Sequence, residues 1–457
     1  MSVCTADLYK DEILAALSEQ GNVAQFVSFD RGLQQRFARV RGFPPNHNFG
    51  RVRSAVDALL RSSPERKVNI RSFRPDEPRG GEFIQLQDNL RTIVGTLSRL
   101  ATDGFFTIVN ESIDVNDGGV SGVMMGGIIE FSPGDTPRCV ERGDIVALPA
   151  EVALKVLSNV YRFRPELPFD NSVRVEFSIH PSPRGYAQSN TIIWETTDVG
   201  SNSLEAHLVW PNRFSRLVGD KVFGLLVADA FGLPVPSADV ISRHLQPYRF
   251  GTQTRSGMKW LRTCPAIRTP GRFTTVRGWK DPFLIMSEDE PDPDRPVISS
   301  IIIQDEVRSE FSGALLTSAD GRPIIEGVAG FGDELMLGNA EPTGLPRKIR
   351  KALEELHQRM RDLVGSLRME WAYDGEEVWI LQLQQQPGQS RGNVIYPGEP
   401  PVFRTFDSSN GLEKLREVIS EIKYQNIGVI LVGNVGMTSH LADVLRDAQI
   451  PSRRELT

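Results

Sequence analysis

Two stretches of this chain repeat one strand-and-turn pattern. The first reads TIVNESIDVNDGGVSGVMMGGIIEF over 107–131, then RVEFSIHP over 174–181 and TIIWE over 191–195. The second reads SIIIQDEVRSEFSGALLTSADGRPIIEG over 300–327, then RMEWAYDG over 368–375 and VWILQ over 378–382. Each copy has an apolar strand ending in an acid or amide, a Ser-Gly step, a strand ending in glutamate, and an Arg-x-Glu-aromatic strand. A closing strand ends at Glu195 or Gln382. Apolar runs bounded by Gly-rich turns read as strands, and 149–160 and 345–366 read as helices beside them. The repeat predicts an α+β architecture with two lobes of one design. Two unrelated α+β domains with similar hairpins would reproduce part of the pattern.

Further helices are expected at 7–18, 49–62, 90–102, 219–231, 411–423 and 439–448, and further strands at 67–70 and 427–432. The runs 197–203 and 388–402, rich in Gly with Ser/Asn or Pro, read as linkers. Three segments follow: 1–200, 204–390 and a small α/β piece at 400–457. Lys plus Arg total 52 against 58 Asp plus Glu, a net charge of −6. That balance argues against a dedicated nucleic-acid binder and leaves room for a local phosphate pocket. The three cysteines (Cys4, Cys139, Cys264) and six histidines show no metal-ligand spacing. No apolar run approaches the ~20 residues that cross a bilayer, and Asp7, Lys10, Asp11 and Glu12 do not read as a signal sequence. A cytoplasmic protein without membrane contact is expected, with homo-oligomerisation left open. His180, in SIHPSP, is expected in a turn.

The densest chemical signal lies near the C-terminus: Val435-Gly436-Met437-Thr438-Ser439-His440-Leu441-Ala442, then Arg446 and Ile450-Pro451. A strand runs into a glycine turn, and His440 opens the next helix. The free N–H groups and partial positive charge of a helix N-terminus stabilise an anion there, and Thr438 and Ser439 add hydroxyl donors. The same field disfavours the imidazolium and keeps a ring nitrogen available as a nucleophile. A capped helix start with an incidental histidine is the bland alternative.

These residues resemble the phosphohistidine swivelling segment of the phosphoenolpyruvate synthase/pyruvate phosphate dikinase family, with Val435 in place of the first glycine. The resemblance implies an ATP-grasp domain upstream, and similar elements follow in order over 213–451. Gly219-Asp220-Lys221 and Gly232-Leu233-Pro234-Val235-Pro236 resemble the family's opening helix and turn, and Gln304 to Val307 resembles the strand that holds adenine. Ser312-Gly313, Glu326, Gly330-Phe331-Gly332-Asp333, Glu370-Trp371-Ala372 and Ile380-Leu381-Gln382 complete the series. The resemblance implies ATP as ligand and Mg²⁺ as cofactor. It places Lys221 on the phosphates, Gln304 and Val307 on the base, and Glu326 on the ribose or the lysine. Glu370 and Gln382 would supply part of an oxygen ligand set for Mg²⁺.

The sequence departs from the family at several points. Arg368 stands where an acid is usual and puts a positive charge beside the phosphates; Arg174 is its counterpart in the first half. The Val-Arg-Ser-Ser phosphate motif has no match between 240 and 300. Its nearest equivalent is Val68-Asn69-Ile70-Arg71-Ser72-Phe73, with Val276-Arg277-Gly278 a poorer one. Arg71 then belongs either to a first, degenerate ATP-grasp copy or to a composite site. The family's phosphoenolpyruvate/pyruvate barrel is expected to be missing, so the phosphoryl acceptor is unnamed. The leading expectation is an ATP-dependent, dikinase-like phosphotransferase that relays a phosphoryl group through His440, with Lys221, Thr438 and Ser439 assisting. The alternatives are an ATP-grasp ligase and a catalytically degenerate nucleotide-binding or scaffold protein.

Overall fold

The computed structural model describes residues 9–74, 81–135, 144–200, 202, 204–267 and 272–455. They fall into two compact units, one comprising the chain up to Leu154 with Phe163–Ala206, the other Lys155–Arg162 with the chain from His207 onward. Cys4 and Cys139 lie outside the described residues. Cys264 is buried, and burial pushes its thiol up to about 11. Among the described residues no helix is long and apolar enough to cross a membrane.

The elements of the first half are α1 (Lys10–Leu17), β1 (Phe26–Phe29), β2 (Gln35–Arg39), α2 (Val52–Ser62), β3 (Val68–Phe73), β4 (Phe83–Gln87), α3 (Leu90–Thr102), β5 (Phe106–Glu111), β6 (Val120–Met125), β7 (Ile128–Pro133), β8 (Val146–Pro149), α4 (Ala150–Tyr161), β9 (Val173–Arg184) and β10 (Ser189–Asp198). One sheet has the order β2-β1-β5-β3-β4, and a second runs β10-β9-β6-β7-β8. Ala55, Val56, Leu59, Ile93, Leu97 and Leu100 from α2 and α3 cover the first sheet. They recur at spacings of three and four, the stripe that an amphipathic helix buries.

The second half continues with β11 (His207–Leu208), α5 (Arg213–Val218), α6 (Asp220–Ala230), β12 (Ala238–Ser242), β13 (Tyr248–Phe250), β14 (Lys259–Pro265), β15 (Thr275–Arg277), α7 (Pro282–Asp289), β16 (Ile298–Asp305), β17 (Phe311–Thr317), β18 (Pro323–Ala329), α8 (Asp333–Leu337), α9 (Arg347–Val364), β19 (Leu367–Tyr373) and β20 (Val378–Gln385). Its sheets run β13-β12-β16-β14-β15 and β18-β17-β19-β20. The first of these repeats the order β2-β1-β5-β3-β4 strand for strand, and the second, read in reverse, repeats β10-β9-β6-β7 with β8 unmatched, so the sequence repeat is a repeat of fold. The registers agree as well. Arg71 lies opposite Ile108 as Arg262 lies opposite Ile302. Glu195 lies opposite Glu176 as Gln382 lies opposite Glu370, with the register slipping by one residue beside each pair.

The remaining elements, β21 (Val394–Tyr396), β22 (Val402–Asp407), α10 (Gly411–Ile422), β23 (Ile427–Val432), α11 (His440–Asp447) and β24 (Ser452–Arg454), build a small α/β layer. Its sheet order is β21-β24-β23-β22, parallel between β22 and β23 and between β23 and β24. Leu415, Val418, Ile422, Leu441 and Leu445 cover one face. Part of the expected linker 388–402 is therefore structured: Val394–Tyr396 forms the edge strand, and the Ser390 hydroxyl donates to the Ile395 carbonyl. His180 is also not in a turn. It sits buried within β9, its Nε2 2.8 Å from Ser178 Oγ and its Nδ1 2.8 Å from Asp117 Oδ2. The strand continues through Pro181 because β10 pairs with it on both sides of the histidine.

Candidate functional site

The second unit carries a cavity of about 370 Å³ between the start of α6, strands β14, β19 and β20, and the start of α11. Gly219 makes the entry to α6 workable. Its φ is +96°, and a Cβ there would stand 2.7 Å from Cys264 Cβ and 2.9 Å from Ser300 Oγ. Lys221 then falls in the first turn, with its Nζ donating to the Thr263 carbonyl at 3.3 Å. Arg262 enters from β14 beside Trp260, Arg368 and Glu370 from β19, Gln382 and Gln384 from β20, and His440 with Asp443 from α11.

The cavity therefore mixes three cationic side chains with a few oxygen donors. Burial would raise the Glu370 carboxyl, but Arg368, Arg262 and His440 outweigh it and hold that group down at about 2. Burial pushes the Lys221 ammonium below the usual lysine range. It pushes the Asp333 carboxyl up. Several polar atoms on this wall have no hydrogen-bond partner: Arg262 Nε, both amide atoms of Gln384 and His440 Nδ1. Buried polar atoms are normally paired, so this is a surface suited to a polar ligand.

The residues around His440 are tied down by two buried charges. Glu326, on β18, accepts the backbone N–H groups of Met437 (3.0 Å) and Thr438 (2.8 Å) and the Thr438 hydroxyl (2.8 Å). Gly436 is required for this approach, since a Cβ there would lie 2.5 Å from Glu326 Oε2. Arg368 donates from Nη1 to Glu370 (3.0 Å) and from Nη2 to the Thr438 carbonyl (3.1 Å), and its Nε lies 2.9 Å from Asp443 Oδ2. Asp443 also accepts from Arg446 at 2.9 Å, and Arg446 donates to the Met437 carbonyl at 2.7 Å. Ser439 caps α11, its Oγ accepting the Ala442 N–H and donating to the Gly436 carbonyl.

Of the residues expected at the site, Lys221, Arg368, Glu370, Gln382 and His440 line the one cavity. The others do not. Thr438 and Ser439 are fully buried and spend their hydroxyls on Glu326 and the helix cap, so they are not open donors to a phosphate. Glu326 holds Met437 and Thr438 of the C-terminal segment and does not line the cavity with Lys221. Val307 packs with Ala372 and Trp379. Gln304 is buried where β16 meets β12 and β14, with its Nε2 unpartnered. Arg71 belongs to the first unit.

Between 240 and 300, Arg262 takes on β14 the register position that Arg71 takes on β3. Its only sequence signal was Leu261-Arg262-Thr263, which matches Ile70-Arg71-Ser72 once the repeat is extended upstream. Arg277 pairs instead with Glu306 at 2.5 Å. Asp443 and Gln384 were also not foreseen.

No family model matches the sequence, and no curated protein matches it. Among solved structures, the crystal structure of D-cycloserine synthetase DcsG is similar over 42% of this chain at 12% identity, with a TM-score of 0.23. The match spans 63% of that protein's own length.

Proposed function

We propose that the second unit binds ATP in this cavity and that His440 accepts a phosphoryl group from it. One observation carries the reading: His440 lines the same cavity as Lys221, Arg262 and Arg368. Phosphoryl transfer demands positioning and charge neutralisation more than covalent help from the protein. Three cations suit a polyphosphate, and a histidine in the first turn of a helix suits an incoming anion. The resemblance of 435–451 to a phosphohistidine segment points the same way.

Among the described residues no group of three or more His, Cys, Asp or Glu side chains is placed to hold a metal ion. Mg²⁺ in nucleotide sites commonly takes one or two protein oxygens and fills its shell with phosphate and water. Glu370 and Gln382, paired across β19 and β20, fit that demand. They would hold an ion that neutralises phosphate charge. Arg368, against Glu370, supplies positive charge where the family has an acid.

A second reading is favoured by the tethering of the segment through Glu326 and Arg368. There His440 stays in place and ATP phosphorylates an acceptor directly, as in an ATP-grasp ligase. Nucleotide product analysis with stoichiometric protein and Mg·ATP separates the two. Transfer of the γ-phosphoryl group to His440 leaves ADP, and transfer of a pyrophosphoryl group followed by release of phosphate leaves AMP; either nucleotide, abolished by His440→Ala, supports the histidine relay. ADP formed equally well by His440→Ala overturns the relay in favour of direct transfer. No product of either kind leaves only a nucleotide-binding role.

A further inference from the structure

The first unit holds its own cavity, of about 260 Å³. It opens between α1, strands β3 and β5, and β10, the counterparts of α6, β14, β16 and β20. Four of its polar lining residues stand at positions matched in the lining of the larger cavity. Arg71 and Arg262 share a register against the central strand. Glu195 and Gln382 share the position opposite the β9 or β19 glutamate. Thr197 and Gln384 both lie opposite the preceding arginine, Arg174 or Arg368. Lys10 stands eleven residues before Gly21, as Lys221 stands eleven before Gly232. All four of Lys10, Arg71, Glu195 and Thr197 line the first-unit cavity. The ion pair beside it is repeated too, with Arg174–Glu176 at 2.6 Å and Arg368–Glu370 at 3.0 Å.

From this correspondence we infer that the first unit contains a second binding site, for a nucleoside phosphate smaller than ATP. The class of ligand rests on the ATP reading of the larger cavity. The repeated Lys and Arg supply charge for a mono- or diphosphate. The remaining wall is mostly apolar, with Ile13, Leu14, Leu17, Ile108 and Trp194 beside Asn110 and Thr196, and its apolar part suits the flat face of a base. Among the described residues no histidine lines this cavity, and Glu195 replaces a neutral amide with a negative charge. The site therefore binds without phosphoryl transfer.

The test is titration calorimetry of ADP into the full chain, wild type and three variants. Lys10→Gln changes an exposed residue; Arg71→Gln, which also loses a cation–π contact with Phe83, is the second probe of the same cavity. Arg262→Gln probes the other. Two equivalents of ADP are expected in the wild type. Lys10→Gln and Arg71→Gln should each weaken one of them at least tenfold and leave the other, and Arg262→Gln should do the reverse. A single equivalent that Arg262→Gln removes and Lys10→Gln leaves untouched overturns the second site while the ATP reading survives. A single equivalent lost in Lys10→Gln and Arg71→Gln but kept in Arg262→Gln supports the second site and overturns the ATP reading. No binding of ADP overturns both.

Discussion

Arg368 Nε lies 2.9 Å from Asp443 Oδ2, and both side chains are almost wholly buried. One ion pair thus joins the strand that carries Glu370 to the helix that carries His440. Removing one member of such a pair strands the other charge in a medium that cannot solvate it, a loss of about 3–5 kcal/mol. Arg368→Met is expected to lower the stability of the full chain by that order, measured by urea denaturation. A change near zero would show that the pair is not formed.

Glu326 makes a second tie. Its carboxylate accepts two backbone N–H groups and a hydroxyl from Met437 and Thr438, which lie more than a hundred residues further along the chain. Glu326→Gln keeps the size and loses the charge-assisted bonds, each stronger than a neutral one. Hydrogen exchange at the Met437 and Thr438 amides should accelerate by about tenfold or more, as expected for loss of ~1.5 kcal/mol, while β23 keeps its protection. Equal protection in the two proteins would refute the tie.

The cations of the larger cavity should dominate nucleotide affinity. A hydrogen bond to a charged group contributes about 1.5–3 kcal/mol, so Lys221→Met and Arg262→Gln should each weaken ATP binding roughly 10- to 100-fold in calorimetry. Arg277→Gln is the control, because Arg277 pairs with Glu306 and does not line the cavity. Equal losses in all three variants would point to a general destabilisation.

How much of this was legible beforehand depends on the range of the interaction. The helices at 90–102, 347–364 and 411–422 were plain because their apolar spacing is a local property. The hairpin at 120–133 was marked by Gly126 and Gly127, both with positive φ, as a turn requires. Short strands such as Phe26–Phe29 and Thr275–Arg277 carry too few residues to show a period. Arg262 was missed because a lone arginine in a strand gains meaning only from its register with Ile302. Glu326 reads from the sequence as a partner of the ribose or the lysine because its actual partners, the amides at 437 and 438, become neighbours only in the folded chain. Lys221, Glu370, Gln382 and His440, which line one cavity, each sit in a local sequence pattern.

In the first unit Asp117 gives a pH dependence. Burial would raise its carboxyl, but the hydrogen bond and charge of His180, with Arg184 nearby, outweigh burial and hold the group below the usual range. A carboxyl depressed in the folded state stabilises the fold above its ordinary pKa, and the contribution fades as pH falls through the depressed one. The stability gap between wild type and Asp117→Asn, measured by denaturant unfolding, should be widest at about pH 7 and shrink toward about pH 3. A gap that stays constant or grows in acid would contradict the assignment.

Phosphoryl transfer to His440 is the step on which the proposed function turns. The most direct measurement is the intact mass of the full chain after incubation with stoichiometric Mg·ATP, for wild type and His440→Ala. A gain of one phosphoryl group is expected in the wild type, stable in alkali and lost in acid, and none in His440→Ala. An unmodified wild-type chain, or a phosphoryl group that persists in His440→Ala, would contradict it.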